Sequence, residues 1–199
     1  LEGRPFRGLR FAGEDIRPIK SLDTDGRVLY AGSFSKVMAP AFRLGFLVFD
    51  KALTTRMIVS KQCTDVHSSL LFQHIAHRCM TQCDYQAHLA LCQDVYRRKS
   101  NLMLSELKKT LHPSIRCSQP EGGLFLMLFL PEGMDSMPLV WEALEHGVVC
   151  VPGSGFMIDQ DAPNNGIRLC YSTASEDEIV RGAYILGNLS QKWMEKAGF

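Results

Sequence analysis

The chain has 199 residues, is 46% hydrophobic and 22% charged, and carries a formal net charge of +1. Those values are ordinary for a globular protein, and the near-neutral charge gives no electrostatic reason to expect nucleic acid or an anionic membrane as a partner of this segment. No apolar run approaches the roughly 20 residues that cross a bilayer, so no membrane span is expected.

Residues 9–50 alternate strand-like and loop-like text. Asp23-Thr24-Asp25 and Gly26 mark a turn before the apolar run Val28-Leu29-Tyr30-Ala31-Gly32. A second apolar run follows at 44–49, and both read as short buried strands. Between them lies Ser33-Phe34-Ser35-Lys36-Val37-Met38-Ala39-Pro40-Ala41-Phe42-Arg43. A Ser-x-Ser-Lys by itself is most often a solvated polar loop. Here a lysine amine, two hydroxyls and a guanidinium share one loop that leaves the end of a strand, where α/β folds place ligands. An amine can take an aldehyde as a Schiff base, and hydroxyls with a guanidinium suit a phosphate.

From residue 51 to 80 the pattern is helical, with a break expected near 65–69. A long helix is expected over 84–111, capped by Asp84, ended by His112-Pro113 and carrying the apolar stripe Leu89, Cys92, Tyr96, Met103 and Leu107. Arg97-Arg98-Lys99 reads as its solvated face. The text then changes to strands at 115–117, 124–130, 148–151 and 167–171, with one helix over 139–146 ended by Gly147. Ser175 and Glu178 form a capping box, and Ile179, Ala183, Leu186, Leu189 and Trp193 line one face of the last helix. Tyr171 and Phe156 read as core. Seven cysteines, an odd number, include no Cys-x-x-Cys pair. Cys79 and Cys83 lie near His74, His77 and His88 but straddle a helix break, so structural thiols are expected rather than a metal site. Free thiols point to a reducing, cytoplasmic compartment.

The lysine segment resembles that of the fold-type I pyridoxal 5′-phosphate (PLP) enzymes, the class I/II aminotransferases, and most of all their 2-aminoadipate/aromatic group and the aminotransferase-like half of MocR regulators. Three further blocks carry the likeness in the family's order: Pro120-Glu121-Gly122-Gly123-Leu124-Phe125 with Leu130-Pro131; Gly147 to Gly153 with Phe156; and Asn165-Gly166-Ile167-Arg168-Leu169-Cys170-Tyr171-Ser172. The resemblance implies an α/β chain forming the C-terminal part of the PLP-dependent transferase fold. Residues 1–83 would be the end of the large PLP-binding domain, and 84–199 the connecting helix and an α+β small domain. Lys36 would bind PLP covalently and shuttle the substrate proton, with Ser33, Ser35 and Arg43 on its phosphate. Arg168 would hold the carboxylate of an amino-acid or 2-oxo-acid substrate, and the enzyme would act as a homodimer.

A family subunit is about twice this length, so the chain is expected to lack the N-terminal half of the fold and to expose apolar surface. Its start also departs from the family's Leu-Glu-Asp-Asp-Pro-Tyr: Gly3 stands where an aspartate would pair with the pyridinium nitrogen, and Phe6 where a tyrosine would donate to the ring oxygen. Three functions follow: an aminotransferase, a PLP-binding regulatory domain without turnover, and an inactive remnant. The Gly3 and Phe6 departures favour the last; the retained Lys36, Arg43 and Arg168 oppose it.

Overall fold

In the computed structural model, which describes residues 1–198, the chain divides into two units, Leu1–Asp94 and Val95–Phe199. The division falls inside the longest helix. The first unit holds a three-stranded sheet in which β2 (Tyr30–Ser33) runs between β1 (Glu2–Gly3), parallel to it, and β3 (Gly45–Val48), antiparallel. Asp23 builds the turn that feeds β2. Its carboxylate accepts from Lys20 Nζ at 2.8 Å and from the Arg27 and Val28 amides at 3.0 Å.

Two helices follow, α1 (Thr54–Thr64) and α2 (Leu70–Gln82), separated by the expected break. Val66 sits there at φ 62°, a conformation that a β-branched residue cannot carry through a helix. The expectation that both strands flanking the lysine loop are buried holds only in part. Tyr30 of β2 is buried, but all four residues of β3 are exposed. β3 is an edge strand of a small sheet, and α1 buries no residue. Leu47, Val48, Ile58, Val59, Leu70 and Leu71 are all exposed, the uncovered apolar surface anticipated for this chain.

α3 (Tyr85–Thr110) begins where Asp84 Oδ1 accepts the Ala87 amide at 2.9 Å. In the second unit its Met103 and Leu107 face a four-stranded antiparallel sheet of order β4-β5-β7-β6: β4 (Arg116–Cys117), β5 (Phe125–Phe129), β6 (Val151–Pro152) and β7 (Gly166–Cys170). Period-2 alternation divides the sheet faces. Leu126, Leu128, Ile167 and Leu169 are buried against α3, α4 (Met137–Glu145) and α5 (Glu176–Ala197), which contribute Leu139, Ala143, Ile179, Ala183 and Leu186. Phe125, Met127 and Arg168 lie on the opposite face, where Arg168 is in register with both Met127 and Val151.

Several local expectations hold. Ser175 Oγ accepts the Glu178 amide at 3.3 Å, and Glu178 returns a carboxylate to the Ser175 amide at 2.7 Å. Tyr171 is wholly buried and its hydroxyl donates to the Gly123 carbonyl at 3.0 Å. The strand expected over 148–151 is shorter, pairing only at Val151–Pro152. Gly147, at φ 79°, turns the chain back so that the Val148 amide donates to the Ala143 carbonyl at 2.8 Å. That amide is spent on the α4 C-terminus instead of a sheet ladder. Phe156 is not core: its side chain is half-exposed beside Arg168.

Gly187 lets α5 approach the end of α3, because a Cβ there would lie 2.1 Å from Thr110 Oγ1 and 2.9 Å from the Thr110 carbonyl carbon. Gly187→Ala is expected to destabilise the chain by about 1–3 kcal/mol in urea unfolding despite alanine's better helix propensity. The Lys20 ammonium and the Val28 amide hold the Asp23 carboxyl well below its ordinary 3.8. A depressed carboxyl stabilises fully above its unfolded value, so this contribution is lost as pH falls below 3.8 toward the folded value. Asp23→Asn should flatten the acid limb of the stability–pH curve, measured by denaturation at each pH.

Candidate active site

The end of β2 and the loop that joins it to β3 carry four of the site residues expected from sequence, Ser33 on the strand and Ser35, Lys36 and Arg43 on the loop. Its closure follows from the sheet register, which sets Ser33 opposite Gly45. Beyond that pair the Phe34 amide donates to the Leu44 carbonyl at 3.1 Å, and the Met38 amide donates back to Phe34 O at 2.8 Å. Ser33 Oγ accepts the Ser35 amide at 3.2 Å, which leaves its own proton free for an anionic oxygen. Lys36 is exposed, while its neighbour Val37 is buried.

The return arm is a 3-10 turn over Pro40–Phe42 that ends with Arg43 in the left-handed region, φ 51° and ψ 38°. A non-glycine residue there costs about 1–2 kcal/mol, and such strain concentrates at functional positions. The turn is held by the Phe42 ring, stacked on Phe72 of α2 at 5.1 Å. The Arg43 guanidinium is exposed, with Nη1 3.5 Å from the Pro40 carbonyl. The loop therefore presents two hydroxyls, an amine and a guanidinium, the donor set that an aldehyde-bearing phosphate needs. A cleft of about 1020 Å³ in this unit touches the loop at Ser33, Phe34 and Val37, but neither Lys36 nor Arg43 lines it.

β1 runs beside this loop's strand. Gly3 is exposed, and a Cβ on it would meet nothing within 4 Å. Glu2 does not replace the missing carboxylate, because it caps the 3-10 turn Ile19–Leu22 by accepting the Ile19 and Lys20 amides, each at 2.9 Å.

Arg168 belongs to the second unit. Its guanidinium carbon lies 4.2 Å from the centroid of the Phe125 ring and 4.6 Å from that of Phe156. Cation–π contact with both rings holds the plane. Its Nε is buried without a hydrogen-bond partner among the described residues, although the residue as a whole is only partly buried, and a buried unpaired donor asks for an acceptor. The sequence marks both phenylalanines, Phe156 as core, but does not place either against Arg168. Period-2 alternation through β5 was the available signal for Phe125; Phe156 arrives from a separate turn and had none. Among the described residues no three His, Cys, Asp or Glu side chains gather to hold a metal ion.

Known proteins with similar sequence or fold include aminotransferases and a transcriptional regulator. Over 196 residues the chain is 31% identical to aromatic-amino-acid aminotransferase 1 of Thermococcus litoralis, covering 98% of this chain and 47% of that protein. Its fold matches LysN, an α-aminoadipate aminotransferase from Thermus thermophilus solved with N-(5′-phosphopyridoxyl)-L-leucine, with a TM-score of 0.90 and 29% identity over 98% of this chain and 50% of that one. It is also 32% identical over 170 residues to an uncharacterized HTH-type transcriptional regulator, YdfD of Bacillus subtilis, covering 85% of this chain and 35% of that protein. No protein-family model matches. The enzymes among these relatives and structural neighbours are fold-type I PLP aminotransferases, and the chain shares their fold. It spans about half the length of the relatives it matches.

The open space at Gly3 yields a direct test. Gly3→Asp should fold with a stability within about 0.5 kcal/mol of the parent, as surface substitutions without new contacts do. Thermal unfolding of the two proteins checks it.

Proposed function

We propose that this chain is the lysine-bearing half of a PLP-dependent aminotransferase that exchanges the amino group of an amino acid with a 2-oxo acid. The observation that carries the reading is the β2 end and β2–β3 loop, which hold Ser33, Ser35, Lys36 and Arg43 within one short stretch, with Arg43 kept in a strained conformation. In this reading Ser33, Ser35 and Arg43 hold the cofactor phosphate, and the guanidinium fork suits paired phosphate oxygens. When bound, PLP supplies the electron sink for breaking the bond to the substrate Cα hydrogen. Lys36 would hold the cofactor and, as the free amine, would take the proton from the substrate Cα and deliver it to the cofactor's C4′ carbon. Arg168 binds the substrate carboxylate in a bidentate pair. The rings of Phe125 and Phe156 screen its guanidinium from water, which strengthens the ion pair.

Residues 1–83 then form the end of the large domain and 84–199 the connecting helix and small domain of a longer, cytoplasmic, homodimeric enzyme. Support comes from the half-length match and from the uncovered apolar residues of β3, α1 and α2. A second reading, a PLP-binding regulatory domain without turnover, is favoured by the similarity to YdfD, while Gly3 and Phe6 weigh against turnover, as they do for an inactive remnant. Without a carboxylate partner the pyridine nitrogen loses its proton more readily, and the electron sink weakens.

Adding PLP to the purified chain should produce an absorbance band that borohydride fixes covalently on Lys36, and Lys36→Ala should abolish the adduct by peptide mapping. A band that amino acids then shift supports turnover; a band that they leave unchanged supports the regulatory reading. A folded sample with no adduct rejects both. In a turnover-competent assembly, Arg168→Lys should raise KM for the amino acid about 10- to 100-fold, the loss expected of one charged hydrogen bond.

A further inference from the structure

Asp84 starts α3, so His88 stands near the helix's first turn. Its Nε2 lies 2.7 Å from the carbonyl oxygen of Val37, 51 residues away in sequence and the immediate neighbour of Lys36. A carbonyl oxygen only accepts, so Nε2 carries the hydrogen and donates it. The imidazole is steadied by the Tyr85 ring, stacked at 6.3 Å. One turn further along α3, Cys92 Sγ lies 3.7 Å from the same nitrogen. A thiol sulfur is the weaker acceptor of the two, and burial pushes this thiol up, away from the thiolate that would compete with the carbonyl.

The other side of the same residue is also held. Val37 is buried, and a Cβ on Gly8 would lie 3.6 Å from Val37 Cγ1 and 3.5 Å from Leu89 Cδ2, so these three residues meet. The Met38 amide is bonded back to Phe34 at 2.8 Å. The lysine therefore extends to solvent from a turn whose following peptide is fixed through both its side chain and its carbonyl.

We propose that His88 is a positioning residue for Lys36: by holding the Val37 carbonyl it sets the turn from which the amine meets an aldehyde-bearing phosphate. The proposal rests on the reading of Lys36 given above, and it assigns α3 a role in the lysine site as well as in packing.

Three variants of the full chain separate this role from stability. His88→Gln keeps an amide donor at about the reach of Nε2; His88→Asn keeps the donor but falls short of the carbonyl; His88→Leu removes it. Two rates are read: deuterium exchange at the Met38 amide without cofactor, and borohydride trapping of PLP on Lys36. Leu and Asn should each speed exchange and slow trapping about fivefold, the size of one lost hydrogen bond, at nearly unchanged global unfolding, and Gln should restore both. Exchange at Met38 equal to the parent's in both the Leu and Asn variants overturns the anchor. Faster exchange with unchanged trapping overturns its role toward Lys36. A parent protein that traps no PLP on Lys36 overturns the functional reading instead, and the exchange rates still decide whether His88 holds the loop.

Discussion

The antiparallel pairing of β2 with β3 is the constraint on which the site in the first unit depends. With Tyr30 opposite Val48 and Ser33 opposite Gly45, the chain has no freedom in where the intervening loop begins and ends. A one-residue slip would move Phe46, whose ring sits 6.0 Å from that of Tyr30 and 5.5 Å from that of Phe34, to the other face of the sheet. The left-handed Arg43 is the residue that fits the return arm to this register. Its conformational cost is offset locally by the Phe42–Phe72 stack and the Phe34–Leu44 hydrogen bond.

The second unit answers a different problem, the placement of a cation on a sheet. β7 buries Ile167 and Leu169 and so must turn Arg168 to the opposite face. That face carries Phe125 from β5 and receives Phe156 from the turn after β6. Two aromatic faces satisfy the guanidinium plane but not its in-plane donors, and the orphaned Nε is the residue of that arrangement. In the function proposed above, the substrate carboxylate would supply what the rings cannot: coplanar oxygens at the edge of the fork.

The first unit combines an ordered loop with unfinished packing. β3 is exposed along its whole length and α1 buries nothing, yet the strand register, the Asp23 turn and the Glu2 cap are all in place. Local hydrogen bonds and short-range aromatic contacts suffice to shape the loop. Apolar surface of this extent wants a further layer. The Gly3 position belongs to the same description: no neighbour crowds it, so no steric demand of this unit explains the lack of a side chain there.

Helix periodicity, capping residues and turn glycines were legible in the sequence because each acts over a few residues. The break between α1 and α2, the Asp84 cap, the Ser175–Glu178 box and the Gly147 stop lie where those signals put them. The grouping of Ser33, Ser35, Lys36 and Arg43 was legible for the same reason, since one short stretch, 33–43, contains them. The exposure of β3, the shortening of β6 and the position of Phe156 were not, because burial depends on what lies against an element and no local pattern encodes that. The aromatic pair around Arg168 and the His88–Val37 hydrogen bond join residues far apart in the chain. Sequence by itself determined the elements and the chemistry of the loop. Tertiary structure alone decided which distant side chains hold that chemistry in place, because such contacts exist only once strands and helices have taken their register.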